Sequence, residues 1–456
     1  MLCQLREDAT AIFRAGVHAV DADQAVKRHV RLDVQAGLLH LSTGESLLLS
    51  QFKRVFVVGA GKAAAPMACA LEQLMGGAFE PQGTINVKYG HTFPRPRFIQ
   101  VNEAGHPLPD AAGVEGAQRI EQLLAGLVDT DLLFVLISGG ASALLPAPAK
   151  GLSLEEKQKT TDLLLRAGAD IYELNAVRKH LSSFKGGQLA QRAQPATVVS
   201  LILSDVVGDR LDVIGSGLTS PDPTTFEDAG CVLRKYNLLE RVPASVRDRL
   251  REGRSGHIPE TPKNFDSFSH RVYNTIVGSN RLAIEAAAGA ARALGYHTAV
   301  LSSTLQGEAR EVARVHVEIL REVISSGHPI QRPACLLSGG ETTVTVRGSG
   351  KGGRNQEFGV AAAIALAGLP NAVVLAAGTD GTDGPTDAAG AVVDGTTAAR
   401  AAAKGFSLND HLDRNDSYPL LHAVEDLLKT GSTGTNVMDL NIMIAGEDTN
   451  DLAGRF

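Results

Sequence analysis

The run Arg54-Val55-Phe56-Val57-Val58-Gly59-Ala60-Gly61-Lys62-Ala63-Ala64 decides the fold class. A β-branched apolar stretch, a glycine turn and the start of a helical pattern follow in that order. They spell strand, tight turn and helix in the GxGxxA form of a dinucleotide-binding unit. The glycines let the backbone approach a phosphate closely, and the positive end of the following helix favours an anion. Lys62 adds an ammonium at that helix start. The next strand pattern, Thr84–Lys88, ends in a lysine and not in the acidic residue that would hold a ribose hydroxyl. Phosphate contact through Gly59, Gly61 and Lys62 is therefore favoured over a purely structural turn. A nicotinamide-dependent dehydrogenase stays open as the rival.

Working outward, further short apolar runs stand at Leu132–Ile137, Thr197–Leu203, Tyr273–Val277, Thr298–Ser302, Ala334–Leu337, Val373–Ala376 and Asn441–Ile444. Most are continuous and not alternating, as parallel strands covered on both faces require. Helical patterns separate them at Lys62–Leu74, Ala112–Leu127, Leu154–Ala167, Arg281–Leu294 and Arg310–Ser325. Ser153 and Glu156 read as a capping box for the third. The alternation predicts α/β architecture with mostly parallel sheets. The stretch from Arg249 to Ser269 is rich in Gly, Pro, Ser and His and reads as a connection, dividing the chain into domains 1–250 and 251–456. The elements Leu136-Ile-Ser-Gly-Gly140 and Leu336-Leu-Ser-Gly-Gly340 occur once in each half. Ligands of open α/β sheets bind beyond the carboxyl ends of strands, and two such ends suit one cleft between domains.

The 456 residues carry a net charge of −6, so bulk electrostatics points to neither nucleic acid nor membrane, and any anion site has to be built locally. The four cysteines, Cys3, Cys69, Cys231 and Cys335, are scattered without a CxxC pair, which fits reduced thiols in a cytoplasmic compartment. No secretory or transit segment and no apolar run of membrane-spanning length is read from the chain. The sequence assigns no oligomeric state.

Several further motifs bear on chemistry. Gly348-Ser-Gly-Lys351-Gly-Gly-Arg354-Asn355-Gln-Glu357 joins four glycines and two cations to a helix start, which suits phosphate or carboxylate; a mobile hairpin is the plainer reading. Ser138, Gly139, Gly140 and Ser142 follow a buried strand and offer hydroxyls and N–H groups to an oxyanion. Asp205 ends the Thr197–Leu203 run, placed for a general base or a Mg²⁺ ligand, with a turn-capping role as the alternative. Asp380 and Asp383, in Gly378-Thr-Asp-Gly-Thr-Asp-Gly384, resemble a hard-cation site or a pair of Asp-Gly turns. Thr433-Gly-Thr-Asn436 is one more turn of glycine and hydroxyls. Arg178-Lys179-His180 and Lys185 read better as a solvated basic face. His91 and His106 lack metal-ligand spacing and are taken as non-ligands. Together the cations, anion-binding turns and carboxylates are the parts that phosphoryl transfer needs.

Taken together, these blocks resemble the class-II glycerate 2-kinases, whose C-terminal half is called the MOFRL domain. The resemblance runs from Leu47 to Ile444 and is carried by VVGAGKAA at Val57–Ala64, LISGGASALL at Leu136–Leu145, ELNAVRKHLSSFKGG at Glu173–Gly187 and LILSDVVGD at Leu201–Asp209. It continues with LLSGGETTV at Leu336–Val344, GKGGRNQE at Gly350–Glu357, GTDGTDGPTDAAGA at Gly378–Ala391 and TGTNVMDL at Thr433–Leu440. It implies a Rossmann-like first domain, a second α/β domain, and an active site in the cleft between them. It also implies an ATP- and Mg²⁺-dependent phosphotransferase acting on the 2-hydroxyl of D-glycerate. The family's functional residues match Lys62, Asp205 and Arg354. Ser138, Gly139, Gly140, Glu341, Asn355, Asp380 and Asp383 are expected to line the cleft, and Ser142, Lys351 and Asn436 are expected among the binding residues. Gly217-Leu218-Thr219 departs from the expected Gly-Pro-Thr. A nicotinamide-dependent hydroxypyruvate reductase is the alternative.

Overall fold

The computed structural model describes residues 1–266 and 269–447. Packing divides them into two units: Ala22–Val277, and Met1–Asp21 joined to the chain from Gly278 onward.

In the unit Ala22–Val277 the apolar runs become a six-stranded sheet. Strands β1 (Val30–Asp33), β2 (Leu38–Leu41) and β3 (Ser46–Leu48) form a small antiparallel sheet ahead of it. The main sheet contains β4 (Arg54–Ala60), β5 (Gln82–Lys88), β6 (Ile99–Ala104), β7 (Asp131–Ile137), β8 (Thr197–Leu203) and β9 (Val272–Gly278), in the order β6-β5-β4-β7-β8-β9. The pairings from β6 to β8 are all parallel. Counted within the sheet this is the order 3-2-1-4-5-6 of a Rossmann fold, and its switch point lies between β4 and β7. Every residue of β7 and β8 is buried, which is why those runs do not alternate. Val58, Val135, Ile137, Val198 and Ile202 form part of one core with Leu144, Phe184 and Leu189.

The second unit builds its sheet from β10 (His297–Leu305), β11 (Ala334–Gly340), β12 (Ala372–Gly378), β13 (Gly390–Asp394), β14 (Leu427–Leu428) and β15 (Asp439–Ala445), in the order β10-β11-β15-β12-β13-β14. Only β10 and β11 pair in parallel; β15 enters antiparallel between β11 and β12. The mostly parallel architecture thus holds for the first sheet, and the second is mixed.

Two boundary expectations are corrected. Residues 1–21 belong with the second unit, because the helix Leu2–Ala19 buries Leu5, Ala9, Ile12, Phe13 and Gly16 there. A Cβ on Gly16 would stand 2.9 Å from Leu440 Cδ1 and 3.0 Å from the Ala283 carbonyl, so a larger residue would make both neighbours give way. Arg6 anchors the same helix to Asp394 and Asp426 at 2.6 and 2.7 Å. The division then falls at 277/278 and not at 250/251. The stretch read as a connection is tied into the first unit: Asp222 accepts from the Thr261 hydroxyl at 2.8 Å, and Glu260 accepts from the Phe226 N–H at 2.9 Å. Among the described residues no helix is long and apolar enough to cross a membrane.

Candidate active site

In the first unit the carboxyl ends of β4, β7 and β8 bring three expected elements side by side. β4 runs so close to β7 that a Cβ on Gly59 would lie 2.2 Å from the Leu136 carbonyl oxygen, and one on Gly61 1.9 Å from Ser138 Oγ. The two turns are then stitched together. Lys62 N–H donates to the Gly139 carbonyl at 2.9 Å, and Ala63 N–H to Ser138 Oγ at 3.0 Å. Ser138 is thus a buried tie between the turns, its Oγ accepting from Ala63 N–H. The ammonium of Lys62 has no side-chain partner among the described residues. Asp205 lies just past the end of β8 and is half-buried. The ends of β4 and β8 are two strand spacings apart, about 10 Å, with the Ser138–Gly140 turn between them.

His106 stands against that turn: a Cβ on Gly140 would be 3.0 Å from its Nε2. Burial, then the charges of Lys62, Lys88 and His91, pushes its pKa down to about 4, so the ring is neutral at physiological pH. On the other side of the turn Ser142 Oγ shares a hydrogen bond with Ser216 Oγ at 2.9 Å, and Ser216 donates to Asn175 Oδ1 at 2.9 Å. The Ser142 carbonyl accepts from Lys185 Nζ at 2.9 Å. The basic-face reading of residues 178–185 is thus overturned. Lys179, His180 and Lys185 are buried, and Lys179 pairs with Asp222 at 3.0 Å. Lys185 and His106 were missed as site residues. His106 follows β6 (Ile99–Ala104), a strand that the sequence reading did not include, so nothing marked it as a site residue.

In the second unit Arg354 opens the helix Arg354–Leu366. Its Nε and Nη2 reach Asp439 Oδ2 and Oδ1 at 2.6 and 2.9 Å, and its Nη1 reaches Glu341 at 2.9 Å. Burial works to lower its pKa, but the bonds and charges of these carboxylates outweigh that and raise it, so the guanidinium is permanently charged and fixed in orientation. Two of its five N–H groups remain for a ligand after these three bonds. Asn355 Nδ2 joins the same network through Asp439 Oδ1 at 2.9 Å.

Part of the Gly348–Gly353 loop is tied to the segment Arg414–Asp416. Arg347 and Gly348 N–H donate to Asn415 Oδ1, Gly350 N–H to the Arg414 carbonyl, and Lys351 N–H to Asp416 Oδ1. Lys351 Nζ lies 4.5 Å from the centre of the Tyr418 ring. The helix N-terminus is closed as well. Asp383 takes the N–H groups of Asn355 and Gln356 at 3.1 and 2.9 Å, and both of those side-chain amides. A Cβ on Gly353 would collide with Asp383 Cγ at 2.3 Å.

Those four donors consume the Asp383 oxygens, so Asp383 does not fit a metal ligand; it caps the helix. Burial raises its pKa to about 6, against the pull of the N–H groups. Asp380 binds Thr382 N–H and Oγ1 through Oδ1 alone, at 3.0 Å each, and leaves Oδ2 without a hydrogen bond among the described residues. Its single available oxygen fits the one- or two-carboxylate share that proteins give to nucleotide-bound Mg²⁺. Among the described residues no three His, Cys, Asp or Glu side chains gather as a metal cage. Asn436 accepts from the Met438 N–H at 3.1 Å, a local turn.

Residues 8–251 match the family described as a domain of unknown function (DUF4147), and residues 334–439 match the MOFRL family. The chain is 44% identical over 392 residues to the glycerate 2-kinase of Pyrococcus horikoshii, covering 86% of this chain and 87% of the relative. It is 42% identical over 438 residues to the D-glycerate 2-kinase of Thermotoga maritima, covering 96% and 98%. A relative from Agrobacterium vitis, 41% identical over 86% of this chain and all of its own length, is named a putative hydroxypyruvate reductase. The crystal structure of a glycerate kinase from Thermotoga maritima superimposes with a TM-score of 0.86 at 41% identity, covering 97% of this chain and 99% of that one. With both halves matched and the identity sustained along nearly the whole length, the chain belongs to the glycerate kinase family.

Proposed function

We propose that the protein transfers the γ-phosphate of ATP to the 2-hydroxyl of D-glycerate, giving 2-phospho-D-glycerate and ADP. The observation that supports this reading is that Lys62, whose ammonium has no partner among the described residues, and Asp205 both follow the carboxyl ends of strands of one sheet, β4 and β8. Phosphoryl transfer asks the protein for positioning and for fixed positive charge. Lys62 meets a phosphate oxygen beside the Gly59–Gly61 turn. Asp205 accepts the hydrogen bond of the attacking hydroxyl and takes its proton as the new P–O bond forms. Arg354, held by Asp439 and Glu341, keeps two N–H groups for an anionic ligand, and preorganised charge of this kind lowers the barrier to phosphoryl transfer. Asp380, with one carboxylate oxygen not engaged by Thr382, is suited to hold Mg²⁺. Bound with the nucleotide, that ion offsets the charge of the phosphate oxygens.

The reductase alternative lacks its acidic ribose ligand, since β5 ends in Lys88. D-glycerate, ATP and Mg²⁺, followed by enolase without a mutase, separate the outcomes. Phosphoenolpyruvate forms only from the 2-phosphate; ATP consumption without it points to another position. Steady NADH oxidation with hydroxypyruvate would restore the reductase. The four free cysteines are consistent with a cytoplasmic setting.

A further inference from the structure

The buried lysines of the first unit, with the partly exposed Arg178, divide into two kinds. Lys179 has carboxylates, Asp222 at 3.0 Å and Asp212 at 3.6 Å. Lys157, Arg178 and Lys185 have none among the described residues. Lys185 is 2% exposed and donates only to the Ser142 carbonyl. Lys157 is buried and donates only to the Pro146 carbonyl. Arg178 is partly exposed and donates to no protein group among the described residues. Each lysine feels the charge of Arg178, and Lys185 feels that of Lys157 as well. Hydrophobic residues of the same volume would be more stable than buried charges without counter-ions. Packing alone does not account for two such lysines beside Arg178, whereas an anion held among them completes all three.

The cluster sits on the candidate site. Lys185 holds Ser142, two residues from the Gly140 that faces His106. Asn175, which anchors Ser216 and through it Ser142, lies one turn before Arg178 on the same face of the helix Ile171–His180. One end of the turn therefore carries the Lys62 and Lys88 charges and the other carries this cluster.

We infer that Lys157, Arg178 and Lys185 form a subsite for a single carboxylate, that of the acid whose hydroxyl is phosphorylated. This rests on the function proposed above. Burial favours a small, singly charged group over a polyphosphate, because desolvation costs rise with charge. The planar fork of Arg178 suits two carboxylate oxygens. Arg354 is already met by two carboxylates, so it does not compete for a third. A neutral polyol would leave the cluster unpaired, which makes it the device selecting acids over glycerol.

The groups facing Lys185 are Lys157 from the helix Leu154–Arg166, Arg178, and the Ser142 carbonyl. Burial first, then those two cations, drives the Lys185 pKa well down; the same causes, with Arg249, bring Lys157 to about 7. A carboxylate reverses this, so the acid binds together with a proton.

The test is calorimetry of D-glycerate binding at pH 8, without nucleotide, in Tris and in HEPES. The expected result is uptake of roughly half to one proton per acid, with none for glycerol. Lys185→Met should abolish most of that uptake and melt no lower than the wild type. Lys185→Met and Arg178→Gln should each raise KM for D-glycerate by about 10- to 100-fold and leave KM for ATP nearly unchanged. Proton uptake driven by ADP and not by glycerate, or a glycerate KM unchanged in Arg178→Gln, overturns the inference. A wild type that phosphorylates D-glycerate while the variants keep its KM sinks this subsite alone. A wild type with no such activity sinks the proposed function too.

Discussion

Arg354 grips Asp439 through two parallel hydrogen bonds, Nε to Oδ2 at 2.6 Å and Nη2 to Oδ1 at 2.9 Å. Asp439 is buried and begins β15, 85 residues after the arginine. The pair joins the start of one helix to a central strand, so the guanidinium is aimed before any substrate arrives. Arg354→Ala should lower kcat about 10²- to 10³-fold through loss of charge stabilisation. It should also cost stability, about 3–5 kcal/mol, by stranding the Asp439 carboxylate. Steady-state kinetics with thermal melts checks both, and near-normal turnover would remove Arg354 from the machinery.

Lys62 presents the opposite balance. Its ammonium has no protein partner among the described residues, so Lys62→Met should leave the melting temperature within a few degrees of the wild type. Turnover should drop by about 10²-fold or more if the ammonium meets a phosphate in the transition state. A variant that melts normally and keeps its rate would show that the turn is structural only.

Lys179 is the counterpart of Lys185 in the same buried region. Removing it leaves Asp222, fully buried, with three hydroxyl and N–H donors but no cation. Lys179→Met should therefore destabilise by about 3–5 kcal/mol, while Lys185→Met should not. Urea unfolding of both variants decides whether the two lysines differ as their partners do.

His106 supplies a pH dependence. Its folded pKa of about 4 lies below the unfolded value of 6.5, so between those values the unfolded chain binds more protons. Stability is therefore lost as pH falls from about 6.5 toward 4. Partial exposure of the residue moderates the size of the effect. His106→Asn should flatten the melting-temperature profile across that window; an unchanged slope would mean the ring titrates normally.

Gly61→Ala probes the close approach of β4 and β7. The added Cβ would fall 1.9 Å from Ser138 Oγ, and Ser138 would have to release Ala63 N–H or the strands would have to part. We expect a loss of both stability and turnover, and a crystal structure of the variant should show the Lys62 turn displaced.

Features encoded over a few neighbouring residues were legible in the chain. The Gly59–Lys62 turn, the buried runs of β7 and β8 and the Ser153–Glu156 capping box depend on local sterics and local periodicity. Asp383 was legible as a turn residue, yet not as the cap of a helix that starts 29 residues before it. The Gly348–Gly353 loop looked open because the acceptors that close it, Asn415 and Asp416, come more than 60 residues later.

By itself, the amino-acid order determined the α/β class, the switch-point turn and, through Lys62, Asp205 and Arg354, the chemistry to expect. Only the tertiary structure decided which cations are spent on protein carboxylates and which are left for a ligand. It also placed the first 21 residues with the C-terminal unit. Residue type sets the charge a side chain carries. Whether that charge is neutralised depends on a partner brought near by folding, and Lys179 and Lys185, six positions apart, differ in just that respect.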